Sequence, residues 1–191
     1  TTGFAQFHRA WLAESHRDAL IVDVRNNGGG HVSSLLLEKL SRKRLGYCAA
    51  RHSPVTPVPN YCIRGPIVSL CDEYSGSDGD LFAHKFKMMK LGTLIGRRTW
   101  GGVVGIAPRQ PLVDGTIVTQ PEFYHWFDDV GWNLENHGAD PDIVVDFKPQ
   151  HVANGEDPQL EIAITCILKQ LEDKPVPVPD LGIHPRRYHR R

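Results

Sequence analysis

A serine attacks a carbonyl only when its hydroxyl stands on a sharp exposed turn, with amide N–H groups beside it and a proton acceptor in reach. Ser77 lies on such a turn, in Asp72-Glu73-Tyr74-Ser75-Gly76-Ser77-Asp78-Gly79-Asp80, between the apolar run 66–71 and the start signals of a helix. Carboxylates occupy the first helical turn, and Leu81, Phe82 and Phe86 share one face. The plain alternative is a serine that only caps the helix. Three other segments carry what a nucleophile requires. Asn26-Asn27-Gly28-Gly29-Gly30 follows one apolar run and precedes a helical pattern. Successive glycines let backbone N–H groups converge on one anion. The run matches neither a dinucleotide nor a phosphate-loop fingerprint, and a simple connector is its alternative. Thr99-Trp100-Gly101-Gly102-Val103-Val104-Gly105 is a second glycine-rich loop, open to the close approach of a peptide backbone. Glu135, in Trp132-Asn133-Leu134-Glu135-Asn136-His137-Gly138, places a carboxylate in a turn ahead of a strand; a solvated surface group is the alternative there.

These segments need a scaffold. Residues 19–24 read as a continuous apolar strand, and 32–45 carry helical spacing at Leu35, Leu36, Leu37 and Leu40. Residues 67–71 form the next strand, the helix after Ser77 runs to about Lys90, and 93–96 form a third short strand. Asp114-Gly115 within 112–118 signals a tight hairpin. Asp157-Pro158 opens a last helix with Leu160, Ile164, Ile167, Leu168 and Leu171 among its apolar positions. Strands alternating with helices predict an α/β layered domain with an attached β-hairpin. Residues 46–65, rich in Pro, Arg and His, read as a long loop or flap. The chain opens on a helical pattern (Phe4, Phe7, Trp11, Leu12) without an initiator Met, which suits a piece of a longer protein. We divide it into a domain at 1–175 and a tail at 176–191. The tail is Pro-rich and then strongly basic, and reads as a solvated extension.

At 191 residues the chain suffices for one domain with a proper core. Its 22 basic and 22 acidic residues balance, which argues against a nucleic-acid or anionic-membrane surface. No apolar run has spanning length. Cys48, Cys62, Cys71 and Cys166 show no CxxC pairing and no metal-ligand spacing with the ten histidines. Neither a metal nor another cofactor is implied, and a reduced cytoplasmic setting fits.

The strings VDVRNNGGGHVSS, EYSGSDGDLF, GRRTWGGVVG, DGTIVTQPEF and VGWNLENHGADPDI occur here in that order. Together they resemble the catalytic domain of the S41 serine peptidases, the tail-specific protease family, and its tricorn-like branch most closely. The likeness covers about residues 1–172. It implies a ClpP/crotonase-like core, peptide substrates and a homo-oligomer, hexameric in that branch. It also implies Ser77 as nucleophile, the amides of Gly30 and Asp78 as the oxyanion hole, and Glu135 as the carboxylate behind the base. Gly28, Gly29, Cys48, Gly101 and Gly102 would contact substrate. In that branch the histidine base lies well upstream, and none of the histidines here sits in a matching motif. His31 and His137 neighbour the site in sequence and are read as lining it. The other branch uses a Ser–Lys dyad, but its lysine position is Gly102 here, which transfers no proton. Cys48 stands where the branch carries an acidic residue for basic side chains, so this resemblance carries no preference for Lys or Arg. Two alternatives from other classes are a catalytically inactive binding domain of the same fold and a crotonase-like acyl-CoA enzyme.

Overall fold

The structure is a computed structural model that describes residues 2–182. The basic stretch 184–191, read above as a solvated tail, lies outside the described residues. The centre is an all-parallel sheet in the order β1 (Leu20–Asp23), β4 (Ile67–Cys71), β5 (Thr93–Gly96), β8 (Ile143–Val144). Registers run Leu20 to Ile67, Val68 to Thr93 and Ile95 to Ile143. Parallel neighbours need crossovers; α2 (Ser33–Leu40) and α3 (Asp78–Met88) lie in those connections and cover one face, and α5 (Pro158–Asp173), after the last strand, covers the other. That is why β4 is apolar at four of five positions and buried at all five. Its one hydroxyl, Ser69 Oγ, donates to Val22 C=O at 3.0 Å and so leaves no orphan polar atom.

Alternation along β4 splits the core in two. Val68 and Leu70 face Ala163 and Ile167 of α5 (Pro158–Asp173). Ile67 and Cys71 face the larger cluster built by α1 (Thr2–Glu14), α2 (Ser33–Leu40) and α3 (Asp78–Met88). Phe82 and Phe86 of α3 are fully buried, four residues apart, with ring centroids 6.0 Å apart. Each such side chain contributes roughly 1.5–3 kcal/mol relative to exposure. Asp157 opens α5 by accepting the Leu160 amide at 3.0 Å, with Pro158 at the first helical position.

Several boundaries differ from the sequence reading. The helix expected over 32–45 ends at Leu40, and Leu45 is largely exposed. Arg44 turns back to donate to Cys62 C=O at 2.6 Å. The 46–65 flap contains an antiparallel ribbon of β2 (Gly46–Cys48) and β3 (Thr56–Val58). Residues 112–118 hold only a turn, closed by the Gly115 amide on Leu112 C=O at 2.9 Å. The antiparallel pairing lies farther back, between β6 (Gly105–Ala107) and β7 (Gln120–Phe123). One short helix, α4 (Pro149–Asn154), was not anticipated.

Candidate active site

β1 and β4 are adjacent and parallel, so the loops leaving their carboxyl ends emerge side by side, where open α/β sheets bind ligands. Hydrogen bonds stitch the two loops together. Asp72 accepts the Asn26 amide at 3.0 Å, the Tyr74 amide at 3.2 Å and the Ser75 hydroxyl at 2.9 Å. The Gly76 amide donates to Asn27 C=O at 2.9 Å. Gly79 is obligatory here, because a Cβ would collide with that same Asn27 carbonyl.

Ser77 occupies the N-cap position of α3 but does not behave as a cap. Its backbone is at φ 52° and ψ −114°, and its side chain makes no capping hydrogen bond. A non-glycine residue in this region is strained, and such strain concentrates at functional turns. The half-buried Ser77 lines a cavity of about 300 Å³ together with Gly30, His31, Ser33, Asp78, Lys85, Val103 and His125. Gly29 and Gly30 adopt φ of 132° and 145°. A Cβ on Gly29 would lie 3.0 Å from Ser77 Cβ and 3.3 Å from its Oγ, so this backbone passes directly against the serine. The amides of Gly30 and Asp78 make no hydrogen bond among the described residues. The Asp78 carboxylate plays a part that sequence reading missed. Its Oδ2 accepts the amides of Val32 and Ser33 at 2.7 and 2.9 Å, capping α2 from another helix and locking the glycine strand beside Ser77.

Asp80, in the first turn of α3, is fully buried. Its Oδ1 accepts the Gly101 amide at 2.8 Å, while Oδ2 has no partner among the described residues. Burial pushes this carboxyl above the ordinary aspartate range, against the pull of the Thr99 hydroxyl and then of that amide. Gly101 and Gly102 do structural work: Gly101 is at φ 86°, and Gly102 C=O accepts the Ser77 amide at 3.1 Å. A Cβ on Gly102 would strike the Trp100 ring.

Glu135 Oε2 accepts the amides of Val103 and Val104 at 2.7 and 2.8 Å. It lines a second cavity, of about 470 Å³, with Tyr124, His125, Trp132 and Asn136. Val103 and His125 line both cavities and form the wall between them. His125 was not singled out from sequence, since nothing in Phe123-Tyr124-His125-Trp126 marks it. Burial, and then the charge of Lys85, lowers its pKa, so it is neutral near pH 7.

The remaining sequence candidates separate. His31 lines the Ser77 cavity. His137 instead pairs with Asp140 at 2.8 Å in a surface pocket with Trp100. Cys48 is exposed on β2 and does not line either cavity, and Gly28 borders open space. The four thiols are all free, and burial raises Cys71 to about 12. Among the described residues no cluster of His, Cys, Asp or Glu could hold a metal, and no helix is long and apolar enough to cross a membrane.

Residues 1–145 match the model of peptidase family S41. The chain is 50% identical over 177 residues to the tricorn protease of Thermoplasma volcanium, covering 93% of this chain and 17% of that protein. It is 54% identical over 169 residues to a tricorn protease homolog of Saccharolobus solfataricus, covering 88% of this chain and 16% of that one. The crystal structure of the tricorn protease superposes with a TM-score of 0.86 at 49% identity, over 89% of this chain and 17% of that chain. The chain thus spans a fifth or less of the length of the curated relatives it matches. With the family model matched over three-quarters of its residues and half of its sequence shared with tricorn proteases, the chain belongs to peptidase family S41.

Proposed function

We propose that this chain is the nucleophile-bearing part of a tricorn-like serine peptidase that cleaves peptides or unfolded segments through an acyl-enzyme. The observation that carries the reading is Ser77 itself: a strained residue at a helix N-terminus, without a capping bond, on a cavity that it shares with Gly30 and Asp78. Ser77 Oγ attacks the scissile carbonyl. The developing oxyanion takes the amides of Gly30 and Asp78, which suits donors about 2.7–3.1 Å from its position. The proton passes to a histidine outside this chain, which later returns it to the leaving amine. Glu135 orients that histidine, directly or through a hydroxyl, and stabilises its charged form. Glu135 Oε2 is held by two loop amides, which leaves Oε1 for that task. Without the histidine the isolated chain is close to inactive, since loss of a triad member leaves a residual ~10³–10⁴-fold over water.

The same reading takes the layers around the parallel sheet as ClpP/crotonase-like and places the protein in the cytoplasm as a homo-oligomer. The exposed Trp100, Ile106, Phe123 and Trp126 offer apolar area for contacts between copies. An acyl-CoA enzyme would use the oxyanion amides but have no role for the Ser77 turn. The test is fluorophosphonate labelling of the full-length protein, with the adduct mapped by peptide mass spectrometry. Label on Ser77, lost in Ser77→Ala together with peptide turnover, is the expected result. An unlabelled Ser77 in a folded protein rejects the reading and leaves the inactive binding domain.

A further inference from the structure

Ser77, Leu81 and Lys85 lie at i, i+4 and i+8 on one face of α3, and all three line the cavity beside the serine hydroxyl. Lys85 Nζ is held by two hydroxyls, Ser33 Oγ at 3.3 Å and Ser34 Oγ at 3.5 Å. Ser33 is buried, and its amide is already taken by Asp78, so this hydroxyl fixes the amine without neutralising it. No carboxylate among the described residues pairs with Lys85, whereas its neighbour Lys87 pairs with Asp142 at 3.0 Å. Asp78, His31 and His125 also line the cavity. Asp78 is spent on the N-terminus of α2, where two amides and the helix dipole compensate it. His125 is held neutral by burial and by Lys85. Buried Leu81 and Val103 and the more exposed Ile106 and Phe123 are the apolar residues on the same cavity. An ammonium held by neutral acceptors, in a half-enclosed pocket and without a paired carboxylate, is a receptor for an anion. A basic side chain entering the same space would meet the Lys85 charge, and the one carboxylate on the cavity, Asp78, already accepts two amides.

We propose that this cavity selects peptides with Asp or Glu beside the scissile bond, and that Lys85 is the specificity-determining charge. The inference rests on Ser77 as the nucleophile. It is tested in the full-length protein with internally quenched peptides that differ only in the residues flanking the cleaved bond: Asp or Glu, Leu, and Lys or Arg. Ratios of kcat/KM between peptides are compared within each variant, so that a general loss of activity cancels.

The wild type should prefer acidic over neutral peptides by about tenfold, with the preference shrinking as ionic strength rises. Lys85→Met should level acidic and neutral peptides, Lys85→Arg should keep the order, and Lys85→Glu should move the acidic-to-basic ratio by about a hundredfold toward basic peptides. Fluorophosphonate labelling of Ser77 is read in parallel on every variant. Label on Ser77 with the same peptide ratios in wild type and Lys85→Glu overturns the specificity assignment and leaves the nucleophile standing. A folded wild type without label removes both.

Discussion

Ser77 and Glu135 hold opposite ends of one peptide unit. The Ser77 amide donates to Gly102 C=O at 3.1 Å, and the N–H of that same Gly102–Val103 peptide donates to Glu135 Oε2 at 2.7 Å. A peptide plane is rigid, so the carboxylate and the serine turn are set relative to each other by one element that bends only at a cost. Two residues 58 positions apart are thereby coupled through a single peptide unit.

This coupling separates two substitutions of Glu135. In Glu135→Gln the side-chain oxygen can still accept the Val103 and Val104 amides, so the loop stays and only the charge is lost. Substrate binding should persist while acylation slows, by up to about 10⁴-fold if Glu135 acts directly on the base and by less through a hydroxyl. Glu135→Ala also orphans two amides and should lose roughly 1–3 kcal/mol of stability. Steady-state kcat and a urea midpoint for both variants check this. A change in kcat of less than about twofold in Glu135→Gln would take the residue out of the mechanism.

Gly29→Ala probes the contact between the glycine strand and the serine. The backbone at φ 132° is closed to L residues, and the new Cβ would press on Ser77 Cβ at 3.0 Å. The expected cost is about 1–3 kcal/mol, with slower fluorophosphonate labelling of Ser77. Gly28→Ala, whose Cβ enters open space, is the control and should label at close to the wild-type rate. Equal labelling in both would show that the strand does not constrain the hydroxyl.

Asp80 predicts a pH dependence of stability. Its pKa is raised in the folded state, by burial foremost, so between the unfolded and folded values the native protein binds more protons. Stability therefore falls as pH rises from about 4 through the folded pKa, and above it the penalty is fully present. Asp80→Asn keeps an acceptor for the Gly101 amide and removes the titration. The difference in urea midpoint between variant and wild type should grow in the variant's favour across that window. Parallel curves would show that Asp80 ionises without cost.

Arg25 gives the opposite sign. Its guanidinium contacts Asp23 at 2.7 Å and Asp157 at 2.8 Å, tying the end of β1 to the start of α5. The hydrogen bond from Arg25 foremost lowers the Asp157 pKa, so this contribution is present above about 4 and lost as pH falls through the depressed folded value. Arg25→Met should cost about 1–3 kcal/mol at neutral pH and flatten the acid limb of the stability profile. An unchanged midpoint at pH 7 would show that solvent screens the pairs.

The sequence by itself determined the parts whose signal is local. β4 and β5 begin and end where their apolar runs meet Pro, Gly and Asp, and Pro158 after an Asp starts α5 as expected. A hydroxyl between small residues, a triple glycine and a carboxylate before a strand are each readable over a few positions, and these made Ser77, Gly30 and Glu135 candidates, their roles being what the family resemblance implies. Tertiary structure alone decided the rest. Asp78 caps α2 across 46 positions, and Glu135 grips an amide 32 positions away. Lys85 faces the serine cavity, and His125 stands between the two cavities. β7 is exposed at every position, so it has no buried face to write a period of two into its residues. Spacing along the chain records which face of an element is buried. It does not record which distant backbone amide a carboxylate will meet, because that depends on how parallel strands bring their loops together.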